Sequence, residues 1–488
     1  MLDHSHIYFF EKLLDKENVY NDKAHMIAYS YDATRAHVEP DAVLFPRNED
    51  DVSAILKYCN EHRIILVPRG AGSGFTGGAL PSEGGIVLAF EKHMNKILEI
   101  DMENMVAIVR PGVINMDLQK AVEEVGLFYP PDPASQNYST IGGNVNENAG
   151  GMRAAKYGIT KDYVMAIRAV LPNGDIIKAG KGTIKDVAGY KIAGILIASE
   201  GTLAVTTEVT MKLLSKPKMT KTAMGIFGSV NSAMEAVYKT MASGVTPVAM
   251  EFLDNKTIRA VEQTYNKGLP IEAGAILVTD VDGNLESDLD FQLAQIEKVF
   301  RENGCNEFVI AQSEEEAADL WFARRRASQA LSVYGSKKIN EDVTVPRAVL
   351  PQLLKEFDKI AEKFNIDRNS AFEIFSMAAI LDKTFDEIYD DVIIKGSADG
   401  GIDGIYLDEQ DGFYIMEVFQ CKNSPKLVQK QLEKLKQDFA EVFEKGRRDK
   451  PNTEGLMPKL DEYISITKNG YHIDHHLNFI FNGDVYDK

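Results

Sequence analysis

Glycine in clusters is the first sign of chemistry in this sequence. Four clusters stand out: PRGAGSGFTGGAL at 68–80, TIGGNVNENAGG at 140–151, ASEGTLAV at 198–205 and KGSADGGIDGIY at 395–406. A run of small residues leaves backbone N–H groups bare, and such a nest can wrap a pyrophosphate without side-chain obstruction. Gly72, Gly74 and Gly77 spell G-x-G-x-x-G after an apolar run, and Glu91 stands near the spacing of a ribose-binding acid. The context argues against a Rossmann dinucleotide site. That motif needs a helix opening on its third glycine, and Gly78, Pro81, Gly84 and Gly85 forbid one. The run IVLAF at 86–90 also arrives too soon for a helical crossover. A phosphate nest and a plain glycine-rich hairpin remain the two readings of this loop.

Such loops need rigid elements to hold them. AVLFP at 42–46 reads as a strand ended by proline. Asn48 with Asp51 three residues on gives a weak capping signal, and Val52, Ile55, Leu56 and Cys59 follow at helical spacing. IILVP at 64–68 is the next strand, and it delivers the chain into Arg69 and Gly70. The strand VTTEVTMKLL ends before Lys216-Pro217-Lys218, a natural boundary. Residues 219–365 then alternate strands (AMGIF, PVAMEFL, AGAILVTDV) with helices, the pattern of an α/β module. We therefore expect three units, 1–216, 217–366 and 367–488, in a chain of 488 residues.

Composition narrows the class. With 44% hydrophobic and 26% charged residues the chain has ample material for cores. Fifty-four basic against 73 acidic residues leave a net charge of -19, which opposes a basic nucleic-acid coat. Three cysteines, Cys59, Cys305 and Cys421, are too few and too scattered for a disulfide framework or a cysteine-rich metal site. MLDHSHIYFF lacks a basic leader pattern, and no stretch approaches the ~18 apolar residues that would span a bilayer. The expected location is the cytoplasm.

The order of the motifs PRGAGSGFTGG, PPDPASQNYSTIGGNVNENAGG, KYG and KDVAGYKIAGILIASEGTLAVTTEVTMKLL resembles the FAD-binding domain of vanillyl-alcohol-oxidase type flavoproteins. The nearest group is that of the glycolate oxidase flavin subunit, D-lactate dehydrogenase and D-2-hydroxyglutarate dehydrogenase. The resemblance implies a two-subdomain FAD-binding fold with an α/β cap domain over the flavin face. It implies that the backbone of Arg69, Gly70, Gly72, Ser73, Gly74, Gly77 and Gly78 holds the FAD pyrophosphate. Pro133, Thr140, Gly142, Gly143, Asn148, Gly150 and Gly151 would line the isoalloxazine and ribityl chain, and Glu200, Gly201 and Thr202 would close over the adenine side. Asn144, Asn146 and Asn148 would offer amides on one side of an extended chain, with Asn146 where the family has alanine. Ser73 and Phe75 stand where covalent relatives have histidine or cysteine, so FAD is expected to be non-covalent. DLWFARRRASQAL continues the likeness: Arg324 of Trp321-x-x-Arg324 would clamp the substrate carboxylate, as a guanidinium fork can. Lys338, in a K-x-x-x-D stretch with Asp342, would aid substrate binding.

The family's next motifs, a histidine-rich H-A-G-D-G-N segment and a later glutamate-histidine-glycine, supply metal ligands and a base, and neither occurs here. His472, His475 and His476 have the wrong spacing to replace them. Instead, residues 367–488 resemble the D…(E/Q)xK core of restriction-endonuclease-like nucleases, and with this C-terminal α/β nuclease-like domain the expected fold class is α+β. In that likeness Asp403, Gln420 and Glu373 hold Mg²⁺ and Lys422 activates the attacking water. A charged hairpin with Asp-Gly turns at 403–404 and 411–412 explains the same residues. Three functions follow from these readings. The first is an FAD-dependent dehydrogenase of a D-2-hydroxy acid such as glycolate or D-lactate, passing electrons to an iron-sulfur subunit or a quinone. The second is a Mg-dependent nuclease or defence-related module fused to a flavin domain, meeting nucleic acid through the C-terminal domain alone. The third is a hybrid with neither activity.

Overall fold

The computed structural model describes residues 2–34, 36–334 and 346–349, single positions between 352 and 363, and the backbone of the strands Gly404–Gln410, Phe413–Lys422 and His472–Phe481. The chain divides into two compact units, one of residues 1–223, 244–251 and 278–296, the other of 224–243, 252–277 and 297–488.

The first unit is built on two sheets. One has four strands in the order Val19–Tyr20, Ala42–Leu44, Ile86–Ala89, Leu66–Arg69. The last three run parallel, with Val43 opposite Val87 and Val67 opposite Val87. AVL and IVLA are buried at every position, as strands covered on both faces must be. The helix Glu49–His62 starts at the expected Asn48, whose Oδ1 accepts the Asp51 N–H at 3.0 Å. It buries Val52, Ile55, Leu56 and Cys59 in a cluster with Phe10, Leu14, Leu44, Ile86 and Leu88. The parallel partners Leu66–Arg69 and Ile86–Ala89 are joined by the glycine loop itself, which contains no helix. A crossover between parallel strands is thus made by turns alone, and the Rossmann geometry is absent.

The other sheet is antiparallel, in the order Ile97–Asp101, Val106–Val109, Val205–Lys212, Val164–Val170, Ile176–Gly180. One of its faces carries a core of Val109, Leu118, Val122, Tyr129, Ile141, Val145, Ile167, Val209 and Met211. The two sheets are tied by Glu49, at the first turn of its helix. Its carboxylate takes hydrogen bonds from Arg168 of the strand Val164–Val170 and, at 2.6 Å, from Thr207 Oγ1 of Val205–Lys212.

Residues 219–330 alternate strands and helices as expected, with a sheet in the order Ala249–Asp254, Ala275–Gly283, Met219–Phe227, Cys305–Ile310. Ser229, Asp254 and Ser313 cap the helices Val230–Ala242, Asn255–Tyr265 and Glu314–Ala330 with their side chains. In the C-terminal part, Gly404–Gln410 and Phe413–Lys422 pair as an antiparallel hairpin whose register sets Gln410 opposite Phe413. His472–Phe481 adds in parallel to Phe413–Lys422. Among the described residues no helix is long and apolar enough to cross a membrane.

One local expectation is corrected. Residues 141–147 are not extended: they form the helix Ile141–Glu147. Thr140 Oγ1 caps it by accepting the Gly143 N–H at 3.2 Å, and Asn148 ends it in the left-handed region at φ 53°. The alternating asparagines therefore point in different directions. Asn144 donates to Asn115 Oδ1 at 3.0 Å, and Asn146 donates to Gly142 O at 2.7 Å, a helical back-bond.

Candidate functional site

Three segments far apart in sequence meet in the first unit: the loop after Leu66–Arg69, the capped helix Ile141–Glu147 and the turn 198–202. Gly70 lies against the helix start, and a Cβ there would run into Thr140 Oγ1 with Gly143 Cα 3.4 Å away. The turn is pinned to the helix by two backbone bonds, Ala198 N–H to Val145 O at 3.1 Å and Glu200 N–H to Asn146 O at 3.0 Å. Gly201 leaves room for Pro68, which closes the triangle. Residues 68–78, 140–151 and 198–202 thus come together in the first unit.

Within the loop, the expected residues take distinct places. Arg69 is 5% exposed, and its guanidinium donates to Tyr31 O at 2.7 Å and to Ala79 O at 3.3 Å. Gly72 fits around that guanidinium, so the arginine side chain is an internal strut of the loop. Ser73 is half-buried and Phe75 exposed. Gly74 and Gly78 lie beside carboxylates, with Glu147 Oε1 3.3 Å and Glu200 Oε2 2.5 Å from the positions their Cβ atoms would take. Gly77 has φ 82° and open space around its missing side chain. Glu91, the candidate ribose acid, is instead taken by the Tyr29 hydroxyl.

On the other side of the helix, the glycines serve packing. Gly142 abuts Pro111, whose Cβ is 2.5 Å from the Cβ position, Gly150 faces Ile159, and Gly151 lies on Asp132. Pro133 is buried, and its carbonyl accepts the Gln136 N–H at 2.8 Å. Asn148 Oδ1 accepts the Lys161 N–H at 3.0 Å, and Thr202 Oγ1 donates to Ser199 O at 2.6 Å. Beside this segment is a charged group that the motifs did not single out. Asp132 is buried, accepts the Arg153 N–H at 3.0 Å and has Arg153 Nε 3.7 Å away. Burial pushes its carboxyl up to about 6, with Arg153 pulling the other way. Arg153 Nη1 is buried with no hydrogen-bond partner. Lys156 and Tyr157 both meet Asp282, the tyrosine hydroxyl donating at 2.7 Å.

These features fit a dinucleotide cofactor. The loop offers a strip of side-chain-free backbone with open space at Gly77, and in the helix and the turn that meet it Asn146 Oδ1 and Ser199 Oγ are buried without hydrogen-bond partners. Two cavities border the turn 198–202. One of about 220 Å³ has Pro68, Gly201 and Thr202 in its wall, and one of about 590 Å³ has Asn148, Lys161, Tyr190 and Ala198.

Arg324 is half-buried on the helix Glu314–Ala330, one turn after the buried Trp321, so the two share a helix face. Arg325 and Arg326 are exposed. Lys338, Glu373 and Asp403 lie outside the described residues, and Gln420 and Lys422 are placed only as backbone on Phe413–Lys422. Among the described residues no three His, Cys, Asp or Glu side chains are grouped to hold a metal.

Comparison with known proteins gives the family. The family model of the FAD binding domain matches residues 40–180, and that of the FAD linked oxidases, C-terminal domain, matches 216–385. The glycolate oxidase subunit GlcD of Bacillus subtilis is 46% identical over 351 residues, 72% of this chain and 74% of that protein. A D-lactate dehydrogenase of Anaerostipes hadrus is 36% identical over 321 residues, covering 64% of this chain and 67% of its own length. Among solved structures, a 4-ethylphenol oxidase from Gulosibacter chungangensis superposes with a TM-score of 0.60 at 17% identity, over 74% of this chain and 78% of that one. That likeness shows the mixed α+β FAD-binding fold. The second family match runs past the expected boundary at 366 and takes in Glu373. The nuclease reading of 367–488 finds no support in these matches.

Proposed function

Because the chain belongs to the FAD-linked oxidoreductases that include glycolate oxidase subunit GlcD and D-lactate dehydrogenase, we propose that it oxidises a D-2-hydroxy acid of the glycolate or D-lactate type. The observation that carries this reading is the meeting of the loop 68–78, the helix Ile141–Glu147 and the turn 198–202 around bare glycine backbone. In this reading the backbone from Arg69 to Gly78 holds the pyrophosphate, and residues 133–151 line the ring and ribityl chain. Glu200, Gly201 and Thr202 close the adenine side. Non-covalent FAD would supply a two-electron acceptor for the hydride leaving the substrate Cα, with the hydroxyl proton released to water as the alcohol becomes the 2-oxo acid. Arg324 fixes the substrate carboxylate by a bidentate contact, so that one face of the Cα–H bond is presented. Lys338 assists in holding the substrate. Electrons leave to an iron-sulfur subunit or a quinone. The domain limits 1–216, 217–366 and 367–488 remain part of this reading, and the oxidase match over 216–385 overlaps the last of them.

The test is direct. Purified protein should be yellow and release its flavin on heating, and anaerobic addition of glycolate, D-lactate or D-2-hydroxyglutarate should bleach it. Arg324→Met should keep the flavin and slow the bleaching at least about 100-fold, the loss expected when a positioning contact goes. Colourless protein sinks the cofactor assignment. Bound flavin that stays oxidised with all three acids sinks the substrate class.

A further inference from the structure

The glycine loop has the wrong charge for its task. A pyrophosphate carries two negative charges, yet the side chains that reach this loop are carboxylates. Glu147 is the last residue of Ile141–Glu147, and both its carboxylate oxygens are 3.2 Å from Thr76 Oγ1, which donates to them. Its Oε1 also lies 3.3 Å from the Cβ position of Gly74 and 3.4 Å from that of Gly78. Glu200, from the turn 198–202, reaches the same Gly78 with Oε2. The ionisable groups facing Glu147 are Glu200 and Asp32, both acidic. The loop's own cation, Arg69, is committed to the carbonyls of Tyr31 and Ala79. An ionised Glu147 would therefore meet the cofactor with charge repulsion that no side-chain cation described at the loop offsets.

Resting on the reading that residues 69–78 receive FAD, we propose that Glu147 takes up one proton from solvent when the dinucleotide binds, and that the neutral carboxyl donates a hydrogen bond to the cofactor. Thr76 Oγ1 spans both carboxyl oxygens, and Oε1 is the one nearest the Cβ positions of Gly74 and Gly78. The free protein is already biased this way, since burial, and then the charge of Glu200, push Glu147 above the usual carboxylate range. A nearby dianion adds to that bias. FAD binding is then linked to pH: the complex binds more protons than the free protein, so affinity is full at low pH and falls as pH rises through the Glu147 pKa of the free protein.

The experiment is titration of apoprotein with FAD from pH 5.5 to 8.5, followed by quenching of flavin fluorescence, a range in which FAD itself does not titrate near the pyrophosphate. For wild type, Kd should rise with pH with a limiting slope of about tenfold per pH unit, the signature of one proton. Glu147→Gln keeps a neutral donor at every pH, so its Kd should be flat and lie below the wild-type value at pH 8.5. Glu147→Ala should be flat and weaker than Glu147→Gln throughout. If a variant fails to fold by circular dichroism, calorimetry of wild type in two buffers of different ionisation heat decides: uptake of one proton is expected, and none overturns the proposal. A flat wild-type profile, or an unchanged slope in Glu147→Gln, also overturns it. Failure to bind FAD at any pH would instead strike the functional reading itself.

Discussion

Two glycines in one loop answer to different forces, and substitution should separate them. Gly70 has ordinary backbone angles but no room beside Thr140, whereas Gly77 has room but φ 82°. Gly70→Ala should force the loop off the helix Ile141–Glu147 and weaken FAD binding by at least about tenfold, because a displacement of an ångström misaligns several N–H donors at once. Gly77→Ala should cost about 1–2 kcal/mol of local strain with no clash. Thr140→Ala loses the cap, about 1 kcal/mol, yet should restore part of the Gly70→Ala loss by removing the hydroxyl that the methyl meets. Flavin fluorescence on the three single and one double variant checks this. The clusters themselves were plain in the sequence. What composition could not divide was the labour among them, with Gly142 and Gly151 serving packing and Gly77 serving conformation. Glu147 passed unnoticed because its partner Thr76 is 71 positions away and nothing local marks the pair.

At the level of elements, the helix Glu49–His62 is both a cover for one sheet and a bolt to the other. Glu49 is depressed below the usual carboxylate range: burial opposes ionisation, but the hydrogen bonds from Arg168 and Thr207 prevail. A group with a lowered folded pKa contributes stability above its unfolded pKa, and that contribution is lost as pH falls through the folded one. Glu49→Gln should therefore destabilise the protein at pH 7 by about 1 kcal/mol, because Arg168 is partly exposed and water screens the charge it loses. The difference in Tm between variant and wild type should shrink as pH is lowered below about 4. Capping and apolar spacing made this helix legible, and the strands at 42, 66 and 86 with it. The segment 141–147 misled because asparagines at every second position imitate strand alternation. A local side-chain cap at Thr140 and a buried amide pair of Asn144 with Asn115 decide for helix, and the second depends on a tertiary neighbour. Sheet order was beyond reach for the same reason, since pairing partners are chosen by the fold.

For the molecule as a whole, a net charge of -19 faces a cofactor of the same sign. Association of FAD with apoprotein should therefore quicken as salt rises from about 10 to 200 mM, because screening weakens the long-range repulsion that slows encounter. Stopped-flow fluorescence would show it, and a rate that falls with salt would mean that a local positive field governs entry instead. The oxidoreductase character of the first 365 residues was readable because its motifs are local and ordered. The chain beyond them offered short motifs, Asp403 and Gln420-x-Lys422, that suit a hairpin as well as a metal site. The parallel sheet, finally, bears on how the protein is made. Its strand Ile86–Ala89 emerges from the ribosome after Ala42–Leu44 and Leu66–Arg69, yet it lies between them. Until that strand is synthesised its two neighbours have no shared partner, and the cofactor loop has only one anchored end. Anchoring of the loop and sheet closure are consequently one event in biosynthesis, which precedes the arrival of Ile141–Glu147 and 198–202, and a nascent chain halted before residue 86 leaves the facing edges of Ala42–Leu44 and Leu66–Arg69 open to whatever else can pair with them.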